Sequence, residues 1–433
     1  MFKQITKELF DFIDNSPSCY HAIENARNTL LAAGFTELSE GKCWNIEKGG
    51  KYFTVRNYSS VIAFRVPETE YKGFNIVSSH SDSPTFKVKE LSEMKVEANY
   101  TKLNVETYGG MIMSTWLDRP LSIAGRVVVK TDKGVKTVLV DVNKDLCVIP
   151  NLAIHMQRQI NEGYKFNPQV DMLPLIGDET SDFKAIIAEA AGVNKEDIIS
   201  SDLFLYNRQK GAIVGAHDEY IMIPKLDDLQ CAFSSLKAIV DAEKSESIQV
   251  AAIFDNEEVG SGTKQGADST FLYDVLSRVN ACLGGTAEEL RAKLSHSFMV
   301  SADNAHAVHP NFPEKMDPTN RNYVNKGVVI KFNANQKYTT DGISAAIFKS
   351  ICDKAEVPYQ IFHNRSDMRG GSTLGNIANA HVSLNTVDIG APQLAMHSSC
   401  ETAGIKDTSY MYGAMKAFFG TTICETALGE YEF

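Results

Sequence analysis

The chain lacks several features that would each have decided its class. It has no run of about 18 apolar residues, so no transmembrane helix is expected. None of its eight cysteines forms a Cys-x-x-Cys pair, which removes a zinc ribbon and a thioredoxin-type site. A disulfide framework is not expected in a chain of 433 residues, so the default compartment is a reducing one, the cytoplasm. Positive charge is in deficit: 43 basic against 54 acidic side chains give a formal net charge of −11. That argues against nucleic acid or an anionic membrane surface as the main partner. The N-terminal MFKQITKELFDFI carries acids within its apolar stretch and no cleavage pattern, so no signal peptide is expected. No internal repeat or low-complexity segment stands out.

What is present is ordinary globular composition, 43% hydrophobic and 22% charged. The length exceeds what one core usually organises, so two domains are expected. Phe2 to Ile13 reads as an amphipathic helix, and Ser18 and Gly34 mark the ends of a second. Strands are expected at Tyr52–Arg56, Val61–Val66 and Phe74–Val77. From Phe86 to Pro150 the apolar spacing falls to two, with a hairpin turn at Asp132-Lys133-Gly134. From Asp227 onward helices and strands alternate. Strands are read at Ile248–Phe254, Phe298–Ser301, Val328–Phe332, Tyr359–Phe362 and Val382–Val387. Helices are read after Asp227, at Ala287–Leu294 behind Thr286, at Ile343–Ala355 and from Thr408. This alternation implies an α/β domain with a mainly parallel sheet covered by helices on both faces. The domain is discontinuous, residues 1–90 and 218–433, with a β-rich insert at 91–217.

The chemistry-bearing residues cluster where apolar runs end. Phe74–Val77 leads to His80 and Asp82, and Ile221–Leu226 to Asp227-Asp228. Ile248–Phe254 leads to Asp255-Asn256-Glu257-Glu258, and Phe298–Val300 to Asp303 and His306. Pro392 to Met396 leads to His397. In open α/β sheets that edge is where ligands bind. Adjacent carboxylates repel unless a cation lies between them or one holds a proton. Imidazole and carboxylate without thiolate suit Zn, Mn or Co. His80, Asp227, Glu258, Asp303 and His397 supply two imidazoles and three carboxylates, enough for two divalent ions if one acid bridges. Glu257 is then left beside a ligand as a general base. Asp82 is placed to take the other ring N–H of His80. Singly, each has a plainer explanation: an acidic pair is a solvated turn, a His after a strand packs or caps, and Asp-Asp opens a helix. Their joint position at element ends of one split domain is what favours a metal site.

The segments Ser79-His80-Ser81-Asp82-Ser83-Pro84, Trp116 to Leu121, Pro150 to His155, Lys225 to Leu229 and Phe254 to Ser261 closely resemble the aspartyl aminopeptidase family. So do Ser301 to Asn311, Lys326 to Tyr338 and Pro392 to Ser398. The likeness runs in order along nearly the whole chain. It implies a co-catalytic zinc exopeptidase of phosphorylase/hydrolase-like fold whose insert is a dimerisation domain. By position, His80, Asp227 and Asp303 would hold one metal, and Asp227, Glu258 and His397 the other. Glu257 would act as base and then acid. His155 would reach a neighbouring subunit's site, and His306, Lys331 and Tyr338 would contact substrate. Peptides with a free, preferably acidic N-terminal residue are the implied substrates, and a tetrahedral homododecamer built from dimers the implied assembly. Two other readings stand beside it: a related amidohydrolase acting on N-acyl amino acids, and a non-catalytic metal-binding assembly protein. Two departures bear on it. Asp228 stands where relatives often have Asn. The loop Ser366 to Thr373 differs from the shorter eukaryotic form near the expected side-chain pocket. A buried Lys331 needs an anion, which a substrate carboxylate would supply.

Overall fold

The computed structural model describes residues 2–433. A nine-stranded sheet forms its centre. In spatial order its strands are Thr36–Glu37, Lys51–Arg56, Ser60–Arg65, Ile248–Phe254, Phe74–His80, Phe298–Ala302, Asn385–Gly390, Val328–Phe332 and Tyr359–His363. The four strands Ile248–Phe254, Phe74–His80, Phe298–Ala302 and Asn385–Gly390 run parallel. Antiparallel partners flank them on both sides, so the sheet is mixed.

Side-chain alternation along these strands divides the interior into two cores. Val77, Ala251 and Ile253 face one way, onto the helices Cys19–Ala32, Leu226–Asp241, Gly342–Lys354 and Asp407–Gly420. Phe74, Ile76, Val250, Ala252 and Phe254 face the other, onto Phe271–Cys282 and Ala287–Ser295. Strands buried on both faces read as continuous apolar runs, which is why these segments were conspicuous in the sequence. Thr286 closes a capping box with Glu289 at the start of Ala287–Ser295.

A six-stranded antiparallel sheet between Thr85 and Asn207 carries its own core, including Phe86, Trp116, Leu121, Ile123 and Leu205. A five-stranded sheet joins distant pieces: Ala212–Val214, Tyr220–Ile223, Glu401–Gly404, Pro392–Leu394 and Ala305–His306. No helix among the described residues is long and apolar enough to cross a membrane.

Some elements differ from the sequence reading. The strand expected at Val382–Val387 lies at Asn385–Gly390. Val382 instead packs in the second core behind the short helix Leu374–Ala378, and the Asn379 side chain accepts the Leu384 N–H. Ser18 occupies the cap position of Cys19–Ala32 without a capping bond, its hydroxyl pairing with His21 Nδ1 at 2.8 Å.

Candidate metal centre

Parallel pairing brings three strand ends to one edge. Phe254 lies opposite His80, and Ser301 opposite Ser78, so the chain beyond each strand delivers its polar residues to the same place. The turn after Phe254 passes through Asn256 in the left-handed region (φ 62) and presents Glu257 and Glu258 on one short helical turn. Asp303 follows Phe298–Ala302. Asp227 arrives from the other direction, at the head of Leu226–Asp241, where it and Asp228 depart from helical geometry. His397 lies in the turn between Pro392–Leu394 and Glu401–Gly404.

These residues converge. His80, Asp227, Asp228 and Asp303 each direct one donor atom into a common space, all such atoms within 4.8 Å of one another, and so do Asp227, Glu258 and His397. Asp227 belongs to both groups. Its Oδ1 lies 3.4 Å from His80 Nε2 and its Oδ2 lies 3.4 Å from His397 Nε2. His397 Nε2 is 3.5 Å from Glu258 Oε2. Donors about 2.0–2.2 Å from a tetrahedral zinc lie roughly 3.3–3.6 Å apart. The observed separations therefore match edges of a coordination shell.

Both imidazoles have a tautomer set from behind. His80 Nδ1 is 3.1 Å from the Asp82 carbonyl and 3.3 Å from Asp82 Oδ1. His397 Nδ1 is 2.6 Å from the Gly110 carbonyl. Each Nδ1 therefore carries the proton and each Nε2 lone pair faces the cluster. His80 Nε2, Asp227 Oδ1, Asp228 Oδ1 and Glu258 Oε1 are buried without a hydrogen-bond partner. Orphaned buried donors of this kind are costly unless something binds them. The residues present fit a divalent cation held by nitrogen and oxygen donors.

The electrostatics agree. Burial, and then neighbouring carboxylates, push Glu258 well above the usual range. Glu257 is pushed up to about 8 by burial, with Asp303, Asp82 and Asp227 adding to the shift against His80. Burial raises Asp303 to about 6 although Lys331 opposes it. Burial resists protonation of His397, yet Asp227 lifts it to about 9. Burial opposes the charge on Asp227, yet His397 and His80 pull it below the usual carboxylate range. Glu257, Glu258, Asp303 and His397 shift toward holding protons, the mark of a site short of positive charge, and a cation would reverse that.

Asp82 does more than face His80. Its Oδ1 accepts the Glu257 N–H and its Oδ2 the Glu258 N–H, both at 3.2 Å, and Oδ2 also accepts the Tyr108 hydroxyl at 2.7 Å. Asn256 Nδ2 donates to that hydroxyl at 2.8 Å. Asp228 accepts the His80 N–H at 3.1 Å. Sequence reasoning missed Tyr108, Gly109, Gly110 and Glu401. The Gly-Gly pair after strand Tyr100–Tyr108 was the available signal. Gly109 has φ +72, and a Cβ there would lie 3.1 Å from Glu258 Cβ, so a close approach explains it.

The remaining expected residues lie farther out. Lys331 is buried, donates to the Asn304 carbonyl at 2.9 Å and lies 3.9 Å from Asp303 Oδ1. An anionic neighbour for the ammonium is therefore present in the protein itself. Tyr338 is buried beneath it, the ammonium 5.4 Å from the ring centroid. His306, on edge strand Ala305–His306, lines a cavity of about 290 Å³ with Phe312, Met316, Phe362, Arg365 and Leu394. His155 is exposed in a loop of the insert, flanked by exposed Ile154 and Met156, and forms no hydrogen bond or ion pair with the cluster among the described residues. Cys400 belongs to none of the donor groups.

Comparison with known proteins follows this geometry. A family model described as aminopeptidase I zinc metalloprotease (M18) matches residues 12–419. A probable M18 family aminopeptidase 2 from Clostridium acetobutylicum is 49% identical over 426 residues, covering 96% of this chain and 98% of that one. A probable aspartyl aminopeptidase from Ricinus communis is 36% identical over 466 residues, covering 96% and 95%. Among solved structures, the chain is similar to one in a cryo-EM structure of an Ape4 and Nbr1 complex, with TM-score 0.93, 36% identity, and coverage of 97% of this chain and 86% of that. It is also similar to the S. cerevisiae mApe1 dodecamer, with TM-score 0.84, 28% identity and 96% coverage of each chain.

Proposed function

The chain belongs to the M18 family of zinc metallo-aminopeptidases, which are exopeptidase hydrolases, and on that premise we propose that it works with two divalent cations on peptides bearing an acidic N-terminal residue. Zinc is the first choice of metal, with manganese or cobalt as substitutes. The observation that carries the two-ion reading is Asp227, whose two oxygens face two different imidazoles at the same 3.4 Å. His80, Asp227 and Asp303 would hold one ion, and Asp227, Glu258 and His397 the other. When bound, the ions supply a Lewis-acid contact to the scissile carbonyl and lower the pKa of a water to about 7.

Glu257 takes a proton from the attacking water and later gives it to the leaving amine. Its side chain is free for this, because only its backbone is held, by Asp82. Asp82 and Tyr108 keep the Glu257–Glu258 turn in place. His306 and Lys331, with Tyr338 behind, line the substrate side. The acidic preference draws support from the relative named an aspartyl aminopeptidase.

We assign residues 1–90 and 218–433 to the catalytic domain and 91–217 to an inserted dimerisation domain. The separate six-stranded sheet with its own core supports an insert, although it spans Thr85 to Asn207, and Ala212–Val214 pairs instead into the five-stranded sheet. A homododecamer built from dimers is the assembly we propose, supported by the dodecameric neighbour. His155, on an exposed apolar loop, then serves a neighbouring copy's site and stabilises the developing oxyanion. The dispersed cysteines keep the cytoplasm as the proposed compartment.

Zinc-loaded protein should cleave Asp- and Glu-headed dipeptides faster than Ala-headed ones and leave N-acetylated twins intact. Preference for the acetylated twin would replace the aminopeptidase reading with the N-acyl amidohydrolase. Activity surviving complete chelation would refute every metal-dependent version.

A further inference from the structure

Glu401 is 2% exposed, belongs to none of the donor groups, and has no part in the chemistry above. Its strand, Glu401–Gly404, lies between two others in the five-stranded sheet. On one side is Tyr220–Ile223, whose chain runs on to Asp227, with Glu401 opposite Ile223. On the other is Pro392–Leu394, whose chain runs on to His397. One side chain therefore stands between the two segments that deliver a ligand from outside the main sheet.

Its carboxylate reaches both. Oε2 accepts the Asp227 N–H at 3.0 Å, and Oε1 accepts the His397 N–H at 2.7 Å and Gln393 Nε2 at 3.3 Å. The His397 backbone sits at φ 67, in the left-handed region that costs a non-glycine residue energy unless the surroundings hold it. A buried hydrogen bond to its N–H is such a hold. The remaining amide of the pair belongs to the residue shared by both donor groups.

We propose that Glu401 is a positioning residue, which fixes the spacing between the bridging carboxylate of Asp227 and the imidazole of His397 through their backbones. The inference rests on the two-cation reading of this site. It explains why so buried an acid is present: each oxygen is occupied by a peptide N–H of a different ligand. Glutamine cannot replace it. An amide offers one acceptor, and the position taken by two donors claims it. The NH₂ group then faces the Asp227 N–H, donor against donor.

The test is metal titration of the full-length apo chain with Co²⁺ against a chromophoric chelator, with visible spectra at saturation. Wild type should take two equivalents per chain. Glu401→Gln should bind about 10–100-fold more weakly, the usual loss for an orienting partner of a ligand, and show shifted d–d bands even when fully loaded. Asp407→Asn removes an equally buried carboxylate, one that accepts the Asn325 N–H and touches neither ligand. It should leave affinity and spectrum unchanged, as a generic loss of buried charge would not. If Glu401→Gln does not fold, Glu401→Asp is read the same way, since its oxygens are withdrawn by one methylene. Two equivalents in wild type with unaltered affinity and spectrum in the variant overturn this inference alone. A single equivalent in wild type overturns the two-cation reading and this inference with it.

Discussion

Exchanging Glu257 for Gln separates catalysis from metal binding, and the structure fixes what to expect. The Glu257 N–H donates to Asp82 Oδ1 at 3.2 Å, a bond any residue at this position would make. Among the described residues its side chain accepts no hydrogen bond and forms no ion pair, so Glu257→Gln breaks no contact and changes no volume. Stability should stay within about 0.5 kcal/mol. Metal content should match wild type if Glu257, whose carboxylate also lies near His80 and Glu258, is not itself a ligand, since it belongs neither to the Asp227–Glu258–His397 group nor to the His80–Asp227–Asp228–Asp303 group. What is lost is a proton acceptor, normally a 10²–10⁴-fold contribution. At 1.36 kcal/mol per decade that raises the barrier by about 3–5 kcal/mol. The loss should fall on kcat and leave KM near its original value, since the base acts in the transition state. Glu258→Gln provides the contrast: its signature is loss of metal, with activity returning in part at excess zinc. Kinetics on an Asp-headed dipeptide, with metal analysis of the same samples, read both variants. A metal-replete Glu257→Gln protein that turns over near the wild-type rate removes Glu257 from its assigned role.

Chelation should lower the melting temperature as well as abolish activity. Asp227, Asp228, Asp303, Glu257 and Glu258 crowd one space, and ligand at 100 times its Kd stabilises by about 2.7 kcal/mol; an unchanged melt would argue that nothing binds there. Gly109→Ala puts a methyl 3.1 Å from Glu258 Cβ at φ +72, so it should cost roughly 1–2 kcal/mol and weaken metal binding, with normal affinity counting against the close-approach argument. If His155 serves a neighbouring copy, His155→Ala and Glu257→Gln proteins, each impaired, should regain activity when co-assembled, and no gain on mixing would place His155 outside the site. Burial holds His21 down at about 4, Asp141 opposing and Lys225 reinforcing it. The neutral ring then contributes stability that is complete above its unfolded value of about 6.5 and is lost as pH falls through 4, up to about 3 kcal/mol. His21→Gln should flatten that limb in urea melts between pH 7 and 4, and an unchanged slope would show that His21 is not its source.

The donor groups that converge were legible because their members announce themselves locally. A strand buried on both faces has to be apolar, so an acid or imidazole at its end is visible against it. His80 ends such a strand, and Glu257, Glu258 and Asp303 follow others. Asp227 and His397 were harder, since their strands are only 4 and 3 residues long. Periodicity has little to work on at that length, and the five-stranded sheet that assembles them went unread. The misplaced strand near Val382 has the same origin: a short apolar stretch fits a helix end as well as a strand. Lys331 was recognised as anomalous, but its partner could not be, because Asp303 and Asn304 reach it only through tertiary packing.

Two acids behind the donor groups, one read from the sequence and one not, share a physical property. Asp82 and Glu401 hold the centre by accepting backbone N–H groups, two ligand-bearing segments each: Glu257 and Glu258 for Asp82, Asp227 and His397 for Glu401. A peptide N–H is the same whatever side chain it carries, so such a contact leaves no pattern of paired residue types in the chain. Asp82 was noticed only because it lies two residues from His80. Glu401 lies four residues beyond His397 and 174 beyond Asp227, at a spacing that no local rule selects. The donor atoms of the centre are therefore written in local sequence, while their separations are set by acids whose partners are backbone. A variant that keeps every ligand and loses one of these acids should have a complete but misspaced site, weak in metal affinity before it is weak in fold.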